Sequence, residues 1–183
     1  MRFISGKYKG RNIEGYTIDG TRPTMDRVKE SLFAIIQNHI KNSNILDLFA
    51  GSGSLGLEAL SNDAKKCIFV DSNKIAIETI TKTIKNINLE EDYELIKSDY
   101  KDALAKFKNQ NKKFDIIFLD PPYHLNLITD AIDKIDKYDL LTKNGIIVCE
   151  YEEEKINTKK YNIYKEKRYG KTNILILNKR KKL

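Results

Sequence analysis

Apolar residues along the chain fall into short blocks separated by longer stretches of mixed periodicity. Five blocks read as strands: Ile45 to Phe49, Cys67 to Asp71, Tyr93 to Lys97, Asp115 to Leu119 and Ile146 to Tyr151. The run Ile116 to Leu119 is continuously apolar, as expected of a strand covered on both faces in a parallel sheet. Between the blocks lie helix-compatible segments of crossover length. In Asn73 to Ile87, Ile77, Ile80 and Ile84 recur at three or four residues with lysines on the opposite side. This alternation predicts an α/β fold, a mostly parallel sheet with helices on both faces. After Tyr151 the pattern changes: "YNIYKEKRYGKTNILILNK" reads as two extended segments joined at Gly170, an antiparallel hairpin completing the sheet.

The first forty residues differ from this core. "RFISGKYKGRNIEG" places glycines and cations between short extended pieces and predicts a small β-hairpin. "RPTMDRVKESLFAIIQNHI" opens a helix, with Thr24 as N-cap, Asp26 at the positive end of the dipole, and an apolar stripe of Val28, Leu32, Ile35 and Ile36. One domain is expected over 1–183, with an extension at 1–41 and a core at 42–183.

Charge adds a class of partner. Thirty-three basic against 26 acidic residues give a net charge of +7, and Arg2, Lys7, Lys9, Arg11, Arg22 and Arg27 concentrate it near the N-terminus, as a phosphate-contacting surface would. The start "MRFISGKYKG" lacks the apolar core of a signal peptide, and no apolar run approaches membrane-spanning length, so a cytoplasmic protein without a membrane partner is expected. Cys67 and Cys149 sit in strand-like segments and read as buried thiols. His39 and His124 stand alone, and no cluster has metal-ligand spacing, so no metal is expected.

Two stretches carry chemistry. "ILDLFAGSGSLGLEAL" contains G-x-G-x-x-G in Gly51, Gly53 and Gly56 after a strand, with Asp71 at the end of the next strand. Such a turn lets backbone amides approach a nucleotide-like cofactor and, alone, is compatible with NAD. Asp47, just before the turn, would repel a pyrophosphate and attract the ammonium of a methionyl group, which points to S-adenosylmethionine. The second stretch is "FDIIFLDPPYHLN". Pro121 and Pro122 lack amide donors and restrict the residues before them, so Asp120 to Tyr123 form a stiff loop. That loop projects a carboxylate, a fixed carbonyl and an aromatic ring from a sheet edge.

"DLFAGSG", a following acid at Asp71 and then "DPPY" resemble the Rossmann-like class I methyltransferases that act on exocyclic amino groups. More closely, "RFISGKYKGRNI", "TRPTMDRVKESLF", "ILDLFAGSGSLGLEAL", "IIFLDPPY" and the closing "RYGKTNILIL" resemble the RsmD family of bacterial methyltransferases, which modify guanine N2 in 16S ribosomal RNA. The resemblance spans almost the whole chain. It implies a three-layer sandwich with a seven-stranded, mostly parallel sheet, and S-adenosylmethionine as cofactor, leaving as S-adenosylhomocysteine. Asp47, Gly51, Gly53, Asp71 and Asp99 would then bind the cofactor. Asp99 would lie by the adenine amino group, with capping of the following helix as the alternative. Asp120, the Pro121 carbonyl and Tyr123 would act on the base. Arg22, Thr24, Arg27 and Tyr123 would meet the RNA, which is expected within a small-subunit ribosomal particle, with the enzyme as a monomer. The alternatives are a DNA adenine or cytosine amino-methyltransferase and a noncatalytic RNA-binding assembly factor.

Overall fold

A computed structural model describes residues 1–16 and 26–180. Helix α1 (Asp26–Ile40) precedes β1 (Asn44–Asp47), α2 (Ser54–Ser61), β2 (Lys66–Asp71), α3 (Lys74–Ile87), β3 (Asp92–Lys97), α4 (Tyr100–Asn109), β4 (Phe114–Leu119), α5 (Ile128–Lys137), β5 (Leu141–Tyr151), β6 (Tyr161–Tyr169) and β7 (Thr172–Lys179). The seven strands form one sheet in the order β3-β2-β1-β4-β5-β7-β6. All pairs through β5 are parallel, and β7 and β6 complete the sheet antiparallel. The expected α/β sandwich is therefore present.

Each face of the sheet carries its own apolar core. On one side Ile45, Phe69, Ile116 and Val148 meet α1, α2 and α3. On the other, Leu46, Ile68, Ile117 and Ile147 meet α4 and α5. Alternate residues of a strand point to opposite faces, so a central strand buried on both sides has no polar position left. Asp47 on β1 and Glu150 on β5 are exceptions, and Asp47 marks the site.

Several elements depart from their sequence reading for physical reasons. β1 stops at Asp47, because Leu48 and Phe49 already belong to the turn that follows. In α3 the buried stripe is Ala76, Thr79, Ile80, Thr83, Ile84 and Ile87, while Ile77 is only half-buried; the short side chains let the helix lie close to the sheet. In α1, Phe33 and Ile40 join Val28, Leu32 and Ile36 in the core, and Ile35 lies at its margin. The N-terminal hairpin reduces to one antiparallel bridge, Arg2 with Asn12. Side chains hold this segment: the buried Glu58 carboxylate accepts from Ile4 N–H at 2.9 Å and Ser5 N–H at 3.0 Å. Buried Lys29 lies 3.6 Å from Glu58 and donates to the Arg2 carbonyl and to Ser54 Oγ. An ion pair this deep is tolerable because further hydrogen bonds satisfy both partners.

The β6–β7 turn has Gly170 at φ +60° as the first of two central residues, between the paired Tyr169 and Thr172. Lys171 keeps a negative φ, so the turn is of the type II′ class, whose twist matches the flanking strands. Both cysteines are buried, and burial pushes both thiols up. Among the described residues no helix is long and apolar enough to cross a membrane.

Candidate active site

Strand order determines where a site can form. From β1 the chain first adds β2 and β3 on one side and then returns to place β4 on the other, so the connections leaving β1 and β4 diverge at their C-terminal ends. Ligands of open α/β sheets bind in this crevice. The turn after β1 and the Asp120 loop after β4 both open into it, lining one cavity of about 400 Å³. That volume lies within the range of small-molecule sites.

The glycine turn is held from below. Gly51 and Gly53 have φ of +55° and +75°, and Gly53 is the N-cap of α2. A side chain at Gly53 would be strained in that conformation. Gly56 serves packing instead: a Cβ there would lie 2.5 Å from the Phe69 ring and 2.6 Å from Cys67 Sγ. Its absence lets α2 settle directly on β2.

Every predicted cofactor-side acid reaches this cavity, and each is anchored by the backbone. Asp47 is 1% exposed, and its Oδ2 accepts from Gly56 N–H at 3.0 Å. Burial pushes its carboxyl up to about 7; the Gly56 amide offsets part of this, and the Asp71 charge adds to it. Asp71 receives Gly51 N–H at 2.9 Å on one oxygen and Asn73 N–H at 2.8 Å on the other. A carboxylate offers about four acceptor sites, so two remain for ligand hydroxyls. Asp99 does cap α4, its Oδ1 accepting from Lys101 N–H at 2.8 Å, and it also stands on the cavity wall. The two readings of Asp99 are therefore compatible.

On the acceptor side, Pro121 is buried, and Asp120 and Tyr123 are half-buried. The Tyr123 hydroxyl donates to Oε1 of the buried Glu150, on the adjacent strand β5, at 3.4 Å. Pro121, Pro122 and Tyr123 also line a second cavity of about 260 Å³ together with Glu150 and Glu152, so the loop stands between two spaces.

Among the described residues, four carboxylates, Asp47, Asp71, Asp99 and Asp120, face the first cavity against one cation, Lys101. That balance suits a ligand carrying an ammonium and a sulfonium and opposes a pyrophosphate. The arrangement fits S-adenosylmethionine.

Of the expected RNA-contacting residues, Arg27 is exposed in the first turn of α1, while Arg22 and Thr24 lie outside the described residues. Two wall residues escaped sequence reasoning. Tyr16, 7% exposed, comes from the N-terminal segment and packs over Gly51. Phe49 stacks at 5.2 Å on Tyr100. An aromatic beside a glycine motif has no period to betray it; only its position two residues after Asp47 could have singled out Phe49.

Comparison with known proteins agrees with this geometry. The family model described as Conserved hypothetical protein 95 matches residues 1–178. The Ribosomal RNA small subunit methyltransferase D of Haemophilus influenzae is 39% identical over 173 residues, covering 93% of this chain and 89% of that protein. Its namesake in Escherichia coli is 30% identical over 154 residues, covering 84% and 76%. A solved Haemophilus influenzae structure described as a methylase is 36% identical, covers 97% of each chain and superposes with a TM-score of 0.78. A methyltransferase solved with S-adenosylhomocysteine, 14% identical, covers 85% of this chain and 50% of that one and shares the fold at a TM-score of 0.72. With its glycine turn, its anchored acids and its Asp-Pro-Pro-Tyr loop around one cavity, the chain belongs to the Conserved hypothetical protein 95 family, the family of the ribosomal RNA small subunit methyltransferase D proteins, which use S-adenosylmethionine.

Proposed function

We propose that this enzyme transfers a methyl group from S-adenosylmethionine to the exocyclic N2 of a guanine in 16S ribosomal RNA, acting in the cytoplasm, as a monomer, on a small-subunit particle. The observation that carries the reading is the meeting of the glycine turn and the Asp120 loop at one cavity across the β1–β4 switch point.

Bound there, the cofactor supplies a methyl group already activated on a sulfonium. The remaining work falls to the protein. Asp47 faces the ammonium, Asp71 accepts from the ribose hydroxyls, and Asp99 sits by the adenine amino group. A guanine amino group is a poor nucleophile because its lone pair is delocalised into the ring. The Asp120 carboxylate and the Pro121 carbonyl accept its two hydrogens, favour the pyramidal form and aim the lone pair at the methyl carbon. Tyr123 stacks on a base extruded from its helix. The proton released after transfer leaves through Asp120 or water.

The deciding experiment supplies labelled S-adenosylmethionine with unmodified small subunits, naked 16S ribosomal RNA and duplex DNA, followed by nucleoside mass spectrometry. Label in N2-methylguanosine that vanishes with Asp120→Ala is expected. Label in adenine or cytosine would overturn the substrate, and no label despite S-adenosylhomocysteine binding would overturn the activity.

A further inference from the structure

The β6–β7 turn reaches the same sheet edge as the Asp120 loop. Register fixes this: Leu119 pairs with Cys149, Glu150 with Ile174, Tyr151 with Asn173, and Asn173 with Arg168. Asp120 is therefore level with Ile174, and Lys171 lies three residues farther out, two strands to the side. With ~4.8 Å between strands and ~3.4 Å per residue, the tip stands about 14 Å from Asp120. Helix α1 bounds the same edge. It runs antiparallel to β6, with Ser31 hydrogen-bonded to the Tyr169 hydroxyl and His39 against Tyr164 at 5.5 Å. Exposed Arg27, one turn before Ser31, lies at this edge too.

Some cations of the sheet are neutralised in ion pairs and others are not. Toward the opposite end, Lys66 and Lys112 pair with Glu94, and Lys113 and Lys179 with Asp139. At the catalytic edge Arg168, Lys171 and Arg27 are exposed, and among the described residues none of them forms an ion pair. Arg168 Nε donates to the Gly170 carbonyl at 2.8 Å, which holds the guanidinium at the turn. Acids stand at this edge as well, exposed Glu153 and Glu30 among them. Glu150 and Glu152 line the cavity beside Tyr123, and Glu154 accepts from Ile128 and Thr129 N–H at the start of α5.

We propose that the β6–β7 turn, through Arg168 and Lys171, grips the phosphates of nucleotides flanking the target, with Arg27 on the neighbouring flank. The inference rests on the RNA-methyltransferase reading and adds a surface to it. Acidic cavities receive the base and its amino donors, while the exposed cations hold the backbone on either side. Phosphate contacts of this kind set position and carry no sequence information.

The test compares Arg168→Glu/Lys171→Glu with Lys41→Glu/Lys143→Glu in the full chain. The second pair is exposed toward the opposite end of the sheet, and each pair lowers the net charge by the same 4, from +7 to +3. Affinity for unmodified 16S ribosomal RNA is titrated from low to moderate salt, with S-adenosylhomocysteine thermal shift as a check on the cofactor site. The turn pair should weaken binding about tenfold or more, reduce the slope of log affinity against log salt by about 1.4, and raise KM with kcat within about twofold. The control pair should stay within about threefold. Equal losses in both pairs, or none in the turn pair, overturn the proposal. Should the reversal variant lose its thermal shift, Arg168→Gln/Lys171→Gln decides, with a loss about half as large on the logarithmic scale expected. Turn-dependent RNA binding without methylated guanosine would sink the activity and leave the surface; methylation indifferent to the turn would do the reverse.

Discussion

The two loops that meet at the active site solve opposite problems. After β1, the residues at positive φ are Gly51 and Gly53, and the acids around them are tied to main-chain amides. After β4, the residues at positive φ are His124, at +68°, and Asn126, at +51°. The first loop gives up side chains so that backbone can approach a ligand of constant shape. The second keeps its side chains and accepts left-handed backbone, at an asparagine that tolerates it and at a histidine where it costs about 1 kcal/mol or more. A cofactor needs a cradle; an acceptor base needs a hand.

The sharpest way to break the contrast is Asp120→Ala. It removes chemistry from the second loop while leaving the first intact, so kcat should fall about 1,000-fold with S-adenosylhomocysteine affinity within about twofold, as read by methyl transfer and calorimetry. Gly56→Ala acts on the other side. The added methyl meets the Phe69 ring and Cys67 Sγ inside a packed core, and stability should drop by about 3 kcal/mol, lowering Tm by about 6–12 °C.

Asp47→Asn should sharpen the comparison through pH. The wild-type carboxyl titrates near 7, and a ligand ammonium favours its charged form. Cofactor affinity should therefore rise as pH increases toward about 7 and level off above it. The asparagine variant should bind about tenfold more weakly at pH 8 and show a flat profile; an unchanged slope in isothermal titration would detach Asp47 from the ammonium. The smallest effect belongs to His124→Gly. Relief of the left-handed conformation, largely offset by added freedom in the unfolded chain, should stabilise the fold by about 0.5 kcal/mol in thermal melts.

Much of this architecture was legible because it rests on short-range rules. The continuous run Ile116 to Leu119 suited a strand covered on both faces better than a one-sided one, and the two prolines after it could not continue that strand. Gly170 between alternating segments located the hairpin. Other features had no local signal. Ile77 matched the helical period as well as Ile80 did, yet only Ile80 meets the sheet, because burial depends on how α3 is rotated against β2. Tyr16 lay in a segment of mixed character; residues 4 to 8 are bound to α2, and Glu14 N–H, two residues before Tyr16, is bound to Thr83 of α3.

The sequence by itself determined the order of elements, the two chemical loops and the kind of cofactor, since hydrophobic period, proline and glycine geometry and carboxylate charge act over a few residues. Only the tertiary structure decided that Asp99 both caps a helix and faces the cavity, that Glu150 stands behind Tyr123, and that Arg168 and Lys171 share an edge with Asp120. The last two relations join residues 27 to 51 positions apart through strand register, and register is fixed by packing across the whole sheet.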